Sequence, residues 1–522
     1  MKSKKLLFFY TFVIFLLFLK IDFRITNDLN CCGDDYDYFS HAVTIGEDFD
    51  FDYSNQLPNK SRFFRNNKDA PFGFVGTGLL SSPFIIFGNI LDYIIGDLGE
   101  SGASFKFLLY SFSSIFYFLF AIYLLKQISL YFEANLNYLL YFLGSGVIYY
   151  IFERYSMTPI YEVFTIFLVI VSTIKFMNNQ TKFKQYSFLI PLSILLAILV
   201  RWTNLFVVFI PAIIILTNDN YKYLFKKITN KYFVISTIAS IGLFALHTKL
   251  IYGVITFSPS YVYMVDEFDN LVQINIFNNF TGFVWDSFSD LLVILFSQEF
   301  GLFWFNPILF FGTLALVVGF FLNKSARQKI IYFLFFLCFA MNFFIVSIWN
   351  STASSYGYRY LSCLIPLSFI LLFINKDLMS KRYIRIYLNY FSIFSIISVL
   401  FFETTIHTQL SLEPVLNSFG YEKIYSQPDY LSGLFKSFLM IESYLKIIAT
   451  SFLGIYFIKF AIVVFNDEAI INFLYSNQYS NNDLIDLITY LTETSISYFI
   501  TTILIGLFAC RFIYKQMNLA TA

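Results

Sequence analysis

The chain has 522 residues, of which 58% are hydrophobic, 22% are aromatic and only 13% are charged. Soluble proteins carry about 25% charged residues, and a globule of this size could not bury so much apolar surface. The composition therefore excludes an ordinary soluble protein and indicates a polytopic membrane protein. The net charge is +1. We accordingly expect the lipid bilayer as a partner and no nucleic acid.

The first apolar run covers residues 6–19 and follows three lysines. No small-residue cleavage site follows it, so we predict an uncleaved span with the N-terminus inside, in keeping with the positive-inside rule. We predict an all-α protein with about 11–13 transmembrane helices. The other runs of spanning length lie near residues 105–126, 136–152, 162–177, 232–253, 302–322, 330–348, 361–375, 386–402, 439–462 and 497–514.

Three segments fit no simple span. Residues 187–217 would form one helix of about 46 Å, but the polar sequence Arg201-Trp-Thr-Asn204 interrupts them, so we interpret them as two short spans meeting at a turn. The stretch 74–95 is apolar but contains Gly76, Gly78 and Pro83, and we predict a helix in the membrane interface. The polar stretch 463–495 leaves the partner of the last span open.

Loop charges give this topology an orientation. If residues 187–217 cross the membrane twice and 74–95 lies in the interface, every Lys/Arg-rich loop falls on the inside, as the positive-inside rule requires. The same count places residues 26–59, with eight Asp or Glu and no Lys or Arg, on the outside. Residues 255–290, with five acids and no Lys or Arg, also fall outside. We therefore expect the charged chemistry to face outward in a cytoplasmic (inner) membrane.

The acidic first external loop contains the first candidate site. Asp34 and Asp35 follow the first span, and two neighbouring carboxylates can hold a cation or supply a general base. The alternative is a solvated acidic loop with no chemical role. Composition alone leaves both interpretations open.

Further charges lie where spans are predicted to end on the outside. Glu153, Arg154 and Glu162 flank a Pro between two spans, and Arg201 and Arg359 lie at two other outer rims. Outward arginines have no positive-inside explanation, and guanidinium groups bind phosphate in a bidentate manner. Interface anchoring or salt bridges to the acidic loops are the alternatives.

Six short motifs follow one another along residues 1–375. They are Gly33-Asp-Asp-Tyr-Asp-Tyr-Phe, Gly76-Thr-Gly-Leu-Leu-Ser-Ser-Pro83, Arg154-Tyr-Ser-Met-Thr-Pro-Ile-Tyr-Glu162, Val200-Arg-Trp-Thr-Asn204, Gly301-Leu-Phe-Trp-Phe-Asn-Pro307 and Tyr356-Gly-Tyr-Arg-Tyr-Leu. This ordered set resembles the motifs of GT-C fold glycosyltransferases, the polyprenyl-phosphate-sugar enzymes that include protein O-mannosyltransferases and the lipid A aminoarabinose transferase. Two departures are Asp34-Asp35 where the family often has Asp-Glu, and Glu162 where it usually has Asp or His.

The resemblance implies a catalytic membrane module over 1–375, with its external loop at 25–104, and C-terminal membrane helices over 376–522 without a separate soluble domain. It implies transfer of a sugar from a polyprenyl-phosphate donor to a glycan, lipid or protein acceptor on the outer face. Asp34 or Asp35 would be the base in an inverting single displacement. Arg154, Arg201 and Arg359 would bind the donor phosphate, and Glu153 and Glu162 would form a second acidic motif.

Other assignments remain open at this stage. The resemblance makes no cofactor certain and leaves a divalent metal open, with Asp34, Asp35 and Glu162 as its ligands. A transporter or flippase of lipid-linked or anionic solutes would instead concentrate charges near mid-bilayer and show inverted repeats. The acids are concentrated in the first loop and no repeat is apparent, which favours the enzyme. An O-antigen ligase or polymerase would rely on a large late external loop, and the loop at 405–438 is modest.

Overall fold

A computed structural model describes much of the chain and is mostly helical. The predicted external loop at 255–290 and the tail at 463–495 fall almost entirely outside the described residues. So does most of 405–438. The described residues are 12–19, 33–57, 64–65, 68–95, 104–134, 137–179, 181–257, 291–298, 300–322, 325–349, 356–402, 430–452, 454, 464 and 496–518.

The first external segment forms a small layer of its own. It contains helix α1 (Gly33–Val43), a π-helical turn (Thr44–Asp48), a two-residue β-hairpin (β1, Phe64–Arg65; β2, Lys68–Asp69) and helix α2 (Gly76–Ile95). In the hairpin, Phe64 pairs with Asp69 and Arg65 with Lys68 in antiparallel register. Residues 12–18, within the predicted first span, are helical.

The remaining helices form a bundle. Its first part comprises α3 (Phe105–Tyr131), α4 (Tyr138–Leu143), α5 (Val147–Phe152), α6 (Pro159–Asn178), α7 (Phe183–Val200), a 3₁₀ helix (Trp202–Phe209), α8 (Ile210–Leu216), α9 (Tyr221–Ile228) and α10 (Lys231–Tyr252). The second part comprises α11 (Leu302–Phe305), α12 (Pro307–Leu322), α13 (Ala326–Trp349), a 3₁₀ helix (Arg359–Leu364), α14 (Ile365–Ile374), α15 (Lys376–Ser380), α16 (Arg382–Leu400), α17 (Tyr430–Leu439), α18 (Ile441–Thr450) and α19 (Ile496–Asn518).

Local sequence explains several helix ends. Pro159 occupies the first turn of α6, where a missing N–H costs nothing. The Asn230 side chain accepts the N–H groups of Tyr232 and Phe233 at the start of α10. That helix ends at Gly253, whose φ of +74° is the left-handed conformation that glycine adopts most easily.

Long-range contacts define two ends of the bundle. At one end, Ser113 near the start of α3 bonds Tyr161 near the start of α6, and exposed Asp48, Asp50 and Asp52 lie on the overlying layer. We call this the acidic end. At the other end, the Asn230 side chain donates to Ser187 Oγ, which joins the starts of α7 and α10. We call this the basic end because it exposes Lys182, Lys184, Lys222, Lys226 and Lys231.

The chain reverses at Arg201, as expected for two spans meeting at a polar turn. Arg201 has an extended backbone (φ −158°, ψ 131°) that ends α7, and its side chain reaches Glu162 in the first turn of α6. After the 3₁₀ helix and α8, the Lys227 ammonium lies over Phe176 and Phe183 at the basic end. The segment 187–217 therefore runs to the acidic end and returns.

Helix α2 lies at the acidic end. A Cβ on Gly76 would lie 2.3 Å from the backbone N of Val200, so this close approach to the last residue of α7 needs glycine. At its other end, Asp92 accepts the N–H groups of Phe105 and Lys106 at the start of α3. The helix is long and apolar enough to cross a membrane, but both of its ends lie at one end of the bundle. This geometry favours the predicted interfacial placement.

Among the runs of spanning length, 439–462 is described as α18, which ends at Thr450 before extended Ser451, and two others are divided between helices. The run 136–152 is divided into α4 and α5 because Gly146 adopts φ +77° and Gly144 packs directly on Ser392. The run 302–322 is interrupted at Asn306, whose backbone is non-helical just before Pro307. Both breaks occur at glycine or proline, where backbone geometry outweighs apolar periodicity.

The all-α, polytopic class is confirmed at the level of helix content and apolar length. Eight described helices are long and apolar enough to span a membrane, and the shorter apolar helices are Trp202–Leu216, Pro307–Leu322 and Arg359–Ile374. The helix total and the GT-C-like arrangement stay predictions. The division near residue 375 also stays a prediction, and α16 packs closely on the first module, since Ser395 donates to the carbonyl of Phe305.

Candidate functional site

Helix α1 carries the acidic motif of the first loop into the acidic end. Asp35 and Asp37 are buried on it, at 3% and 2% exposed, and the Asp37 carboxylate accepts the backbone N–H of Phe72. Asp34 belongs to the same helix, and its side chain lies outside the described residues. The interpretation of the loop as merely solvated is therefore wrong for Asp35, which faces the bundle.

Asp35 is bound by two residues of the segment between α5 and α6. One carboxylate oxygen pairs with Arg154, which is itself buried, and the other accepts the hydroxyl of Ser156. A buried ion pair with additional hydrogen bonds is the arrangement that offsets the cost of removing both charges from water. Two of the predicted site residues, Asp35 and Arg154, thus meet, although 119 positions separate them.

A second ion pair lies at the junction of α6 and α7. Arg201 Nη1 donates to Glu162 Oε1 at 2.8 Å, and both side chains are buried. The second oxygen of Glu162 has no hydrogen-bond partner among the described residues. The pair therefore keeps one unused hydrogen-bond acceptor beside a guanidinium group. Burying such an acceptor without a partner costs free energy of folding.

Tyr360 joins two of the predicted arginines. The guanidinium carbons of Arg201 and Arg359 lie 4.2 Å and 4.9 Å from the centre of its ring. Arg359 also donates to the hydroxyl of Tyr360 at 3.0 Å and contacts Met157 Sδ at 3.2 Å. Two cations held by one aromatic ring form an electropositive locus, and this is the chemistry that a phosphate group recognises.

The other predicted residues have less defined roles. Glu153 is buried directly after α5, next to Arg154. Asp35 and Glu162 are each paired with a different arginine, and no three His, Cys, Asp or Glu side chains converge as a metal site among the residues that the structure describes. The metal assignment to Asp34, Asp35 and Glu162 therefore stays a prediction.

A buried histidine fixes the layer that carries Asp35. His41 Nε2 lies 2.9 Å from the carbonyl of Gly73 and must donate to it, so Nδ1, at 2.6 Å, accepts the hydroxyl of Tyr53. Tyr252 at the end of α10 donates to the same carbonyl at 2.7 Å. Burial lowers the pKa of His41 to about 4, so it is neutral near pH 7. The network ties α1 and the loop after it to the bundle.

Sequence reasoning missed Ser156, Met157 and Tyr360 as site residues. Each lies within two or three positions of a motif arginine, so proximity in sequence was the available signal. His41 was also missed, because a lone histidine in an acidic loop carries no local pattern.

The structure thus brings Asp35, Arg154, Glu162, Arg201 and Arg359 to one end of the bundle. Acidic groups for a proton and cationic groups for an anion lie side by side in a region shielded from water. Comparisons of the chain with family models, with curated proteins and with solved structures find no match.

Proposed function

We propose that the protein is a membrane glycosyltransferase that moves a sugar from a polyprenyl-phosphate donor to an acceptor on the outer face of the membrane. The observation that carries this proposal is the location of Arg201 and Arg359 on one Tyr360 ring, at the end where Asp35 pairs with Arg154. The motif resemblance supplies the substrate class, and the buried charges supply the chemistry.

The proposed reaction is one displacement. The acceptor oxygen forms a bond with the anomeric carbon while the bond from that carbon to the donor phosphate oxygen breaks. An aspartate, Asp34 or Asp35, takes the proton of the acceptor hydroxyl. The bonding electrons leave on the phosphate, which departs as polyprenyl phosphate, and Arg201 and Arg359 stabilise its added negative charge. Attack opposite the leaving group inverts the anomeric centre.

The ion pair of Asp35 suggests how donor binding prepares the base. Arg154 and Ser156 bind the two carboxylate oxygens of Asp35 and favour its charged form, so Asp35 becomes a stronger base when Arg154 leaves it. A donor phosphate competes with Asp35 for Arg154, because guanidinium groups bind phosphate strongly. In this scheme the donor releases Asp35 before the acceptor reacts. Asp34, on the same helix, is the alternative base.

The proposed orientation follows from charge. The exposed lysines of the basic end belong inside according to the positive-inside rule, so the acidic end and the site face outside. We therefore propose an inner-membrane location with the N-terminus inside.

The test is glycan and glycolipid profiling of cells that express the wild type, Asp34→Asn or Asp35→Asn at matched membrane levels. Loss of a general base typically costs 10²- to 10⁴-fold in rate, so we expect one defined sugar to disappear with the variant that removes the base, while the lipid-linked donor accumulates. Asp48→Asn is the matched control, since Asp48 is exposed on the same layer and contacts only Asn55 and Gln56 among the described residues.

The outcome also separates the rival function. An unchanged profile in both aspartate variants, together with a changed profile in a deletion strain, would favour a transporter or flippase of lipid-linked or anionic solutes. The buried charges described above lie at helix ends rather than at the bundle centre. Secondary transporters place such groups near the midplane, and this difference supports the enzyme.

A further inference from the structure

The basic end presents a second charged feature, built from the first turns of α7 and α10. These helices start side by side and run in the same direction. Asn230 Nδ2 donates to Ser187 Oγ at 2.8 Å, and Ser236 Oγ donates to the carbonyl of Phe188 at 2.6 Å. The opening residues of both helices therefore form one continuous surface.

Two lysines flank a single aromatic ring on this surface. The ammonium groups of Lys184 and Lys231 lie 5.7 Å and 5.4 Å from the centre of the Tyr232 ring. Both lysines are exposed, and neither forms an ion pair with a residue in the described ranges. Asp219 is the single acidic residue between positions 163 and 256, and it pairs with Arg327. The positive charge of this surface is thus not neutralised locally.

An apolar face continues from the lysines along both helices. Phe188 and Leu189 on α7 are 39% and 44% exposed, and Ile235 and Ile238 on α10 are 56% and 66% exposed. Both helices are long and apolar enough to cross the hydrocarbon layer of a membrane. An ammonium pair directly beside an exposed apolar face matches a molecule with an anionic head and an acyl tail.

We propose that Lys184, Lys231 and Tyr232 form a binding site for the headgroup of an anionic phospholipid, with its acyl chain along the exposed faces of α7 and α10. The phosphate lies between the two ammonium groups and the glycerol contacts the Tyr232 ring. Free phosphate would satisfy the lysines but would leave the apolar face uncovered, so the surface fits the lipid better. This site lies at the opposite end from the candidate catalytic groups and does not depend on their function.

The competing explanation is a diffuse field from the whole basic end, which would attract any anionic membrane without a defined site. Lys329 separates the two explanations. It is exposed at the same end, at the start of α13, and among the described contacts its ammonium group does not lie over the Tyr232 ring. Removing its charge lowers the field of this end as much as removing one of the paired lysines.

The experiment uses the full chain purified in a neutral detergent, with bound lipid counted by native mass spectrometry during titration with dioctanoyl phosphatidylglycerol. Each lysine near a lipid surface contributes about fivefold in affinity. We expect Lys184→Gln/Lys231→Gln to weaken binding about 25-fold and Lys329→Gln to change it less than twofold. Equal melting temperatures without lipid would establish that the variants are folded.

Three results would overturn the proposal. If Lys329→Gln weakens binding about fivefold, as the loss of any one lysine near a lipid surface would, the attraction comes from a diffuse field and not from a defined site. If dioctanoyl phosphatidylcholine binds equally well, the surface recognises acyl chains alone. If inorganic phosphate at the same concentration displaces phosphatidylglycerol, the site is a phosphate site and not a lipid site.

Discussion

The two ends of the bundle use their cationic side chains in opposite ways. At the acidic end, Arg154, Arg201 and Arg359 are 5%, 8% and 6% exposed and contact carboxylates or an aromatic ring. At the basic end, Lys182, Lys184, Lys222, Lys226 and Lys231 are all exposed. Arginine keeps its charge when buried and donates in a planar fork, whereas lysine is a strongly hydrated point charge.

This difference separates buried charges that contact partners from exposed charges that do not need them. Burying an arginine requires a partner for its charge, and the sequence supplies Asp35 and Glu162 for two of them. Exposed lysines need no ion-pair partner, and their charge costs little free energy of folding. The acidic end should therefore be sensitive to single substitutions, and the basic end should tolerate them.

The largest expected effect follows from Arg201→Gln. This change leaves the Glu162 carboxylate buried without its guanidinium partner, and breaking one side of a buried pair typically costs about 3–5 kcal/mol. We expect a clear fall in the melting temperature of the detergent-purified protein. Lys226→Gln, an exposed lysine at the other end, is the control and should melt like the wild type. If the two variants have the same melting temperature, the two ends do not differ in their sensitivity to the loss of one cation.

The second prediction concerns His41 and pH. Its pKa in the folded protein, about 4, lies below the ordinary histidine value of 6.5, so the unfolded chain binds a proton more readily between these two pH values. The contribution of neutral His41 to the free energy of unfolding is roughly 3 kcal/mol. It is fully present above pH 6.5 and is lost as the pH falls toward 4. In His41→Gln the melting temperature should lose the part of this pH dependence that His41 contributes.

Tyr53→Phe is the matched control for the histidine. It removes the hydroxyl that bonds His41 Nδ1 but keeps the titrating ring. The variant should retain the slope between pH 6.5 and 4. A slope that persists unchanged in His41→Gln would assign the pH dependence to other groups.

The smallest expected effect tests the packing of α2 at the acidic end. An alanine Cβ at position 76 would lie 2.3 Å from the backbone N of Val200, so Gly76→Ala must displace backbone and should cost about 1–3 kcal/mol. Gly242→Ala is the control, because nothing lies within 4 Å of its Cβ position and alanine favours the helix. Thermal unfolding should show a loss for the first and none for the second. Equal stability would mean that α2 shifts freely.

The sequence predicted the parts of this structure that depend on local pattern. Apolar runs located most helices, and the polar residues at Arg201 located a chain reversal. The contacts of Asp35 with Arg154 and of Glu162 with Arg201 could not be predicted, because they join residues 119 and 39 positions apart. The charge of a side chain and its approximate depth in the membrane can be inferred from the nearby sequence. Its ion-pair partner is determined only by the packing of whole helices.

The breaks within 136–152 and 302–322 were missed for a different reason. Apolar periodicity continues across Gly144–Gly146 and Asn306–Pro307, so hydropathy alone gives no signal there. The positive φ of Gly146 and the contact of Gly144 with Ser392 depend on α16, far along the chain.

The reversal at Arg201 has an electrostatic consequence. Arg201 directly follows the last turn of the 18-residue helix α7, where the unpaired carbonyl groups carry the negative pole of the helix dipole. Its cation is therefore compensated by a backbone pole as well as by Glu162. Glu162 lies in the first turn of α6, where the unpaired N–H groups carry the positive pole of that helix. The ion pair thus joins two helix ends of opposite polarity, and each of its charges is compensated twice.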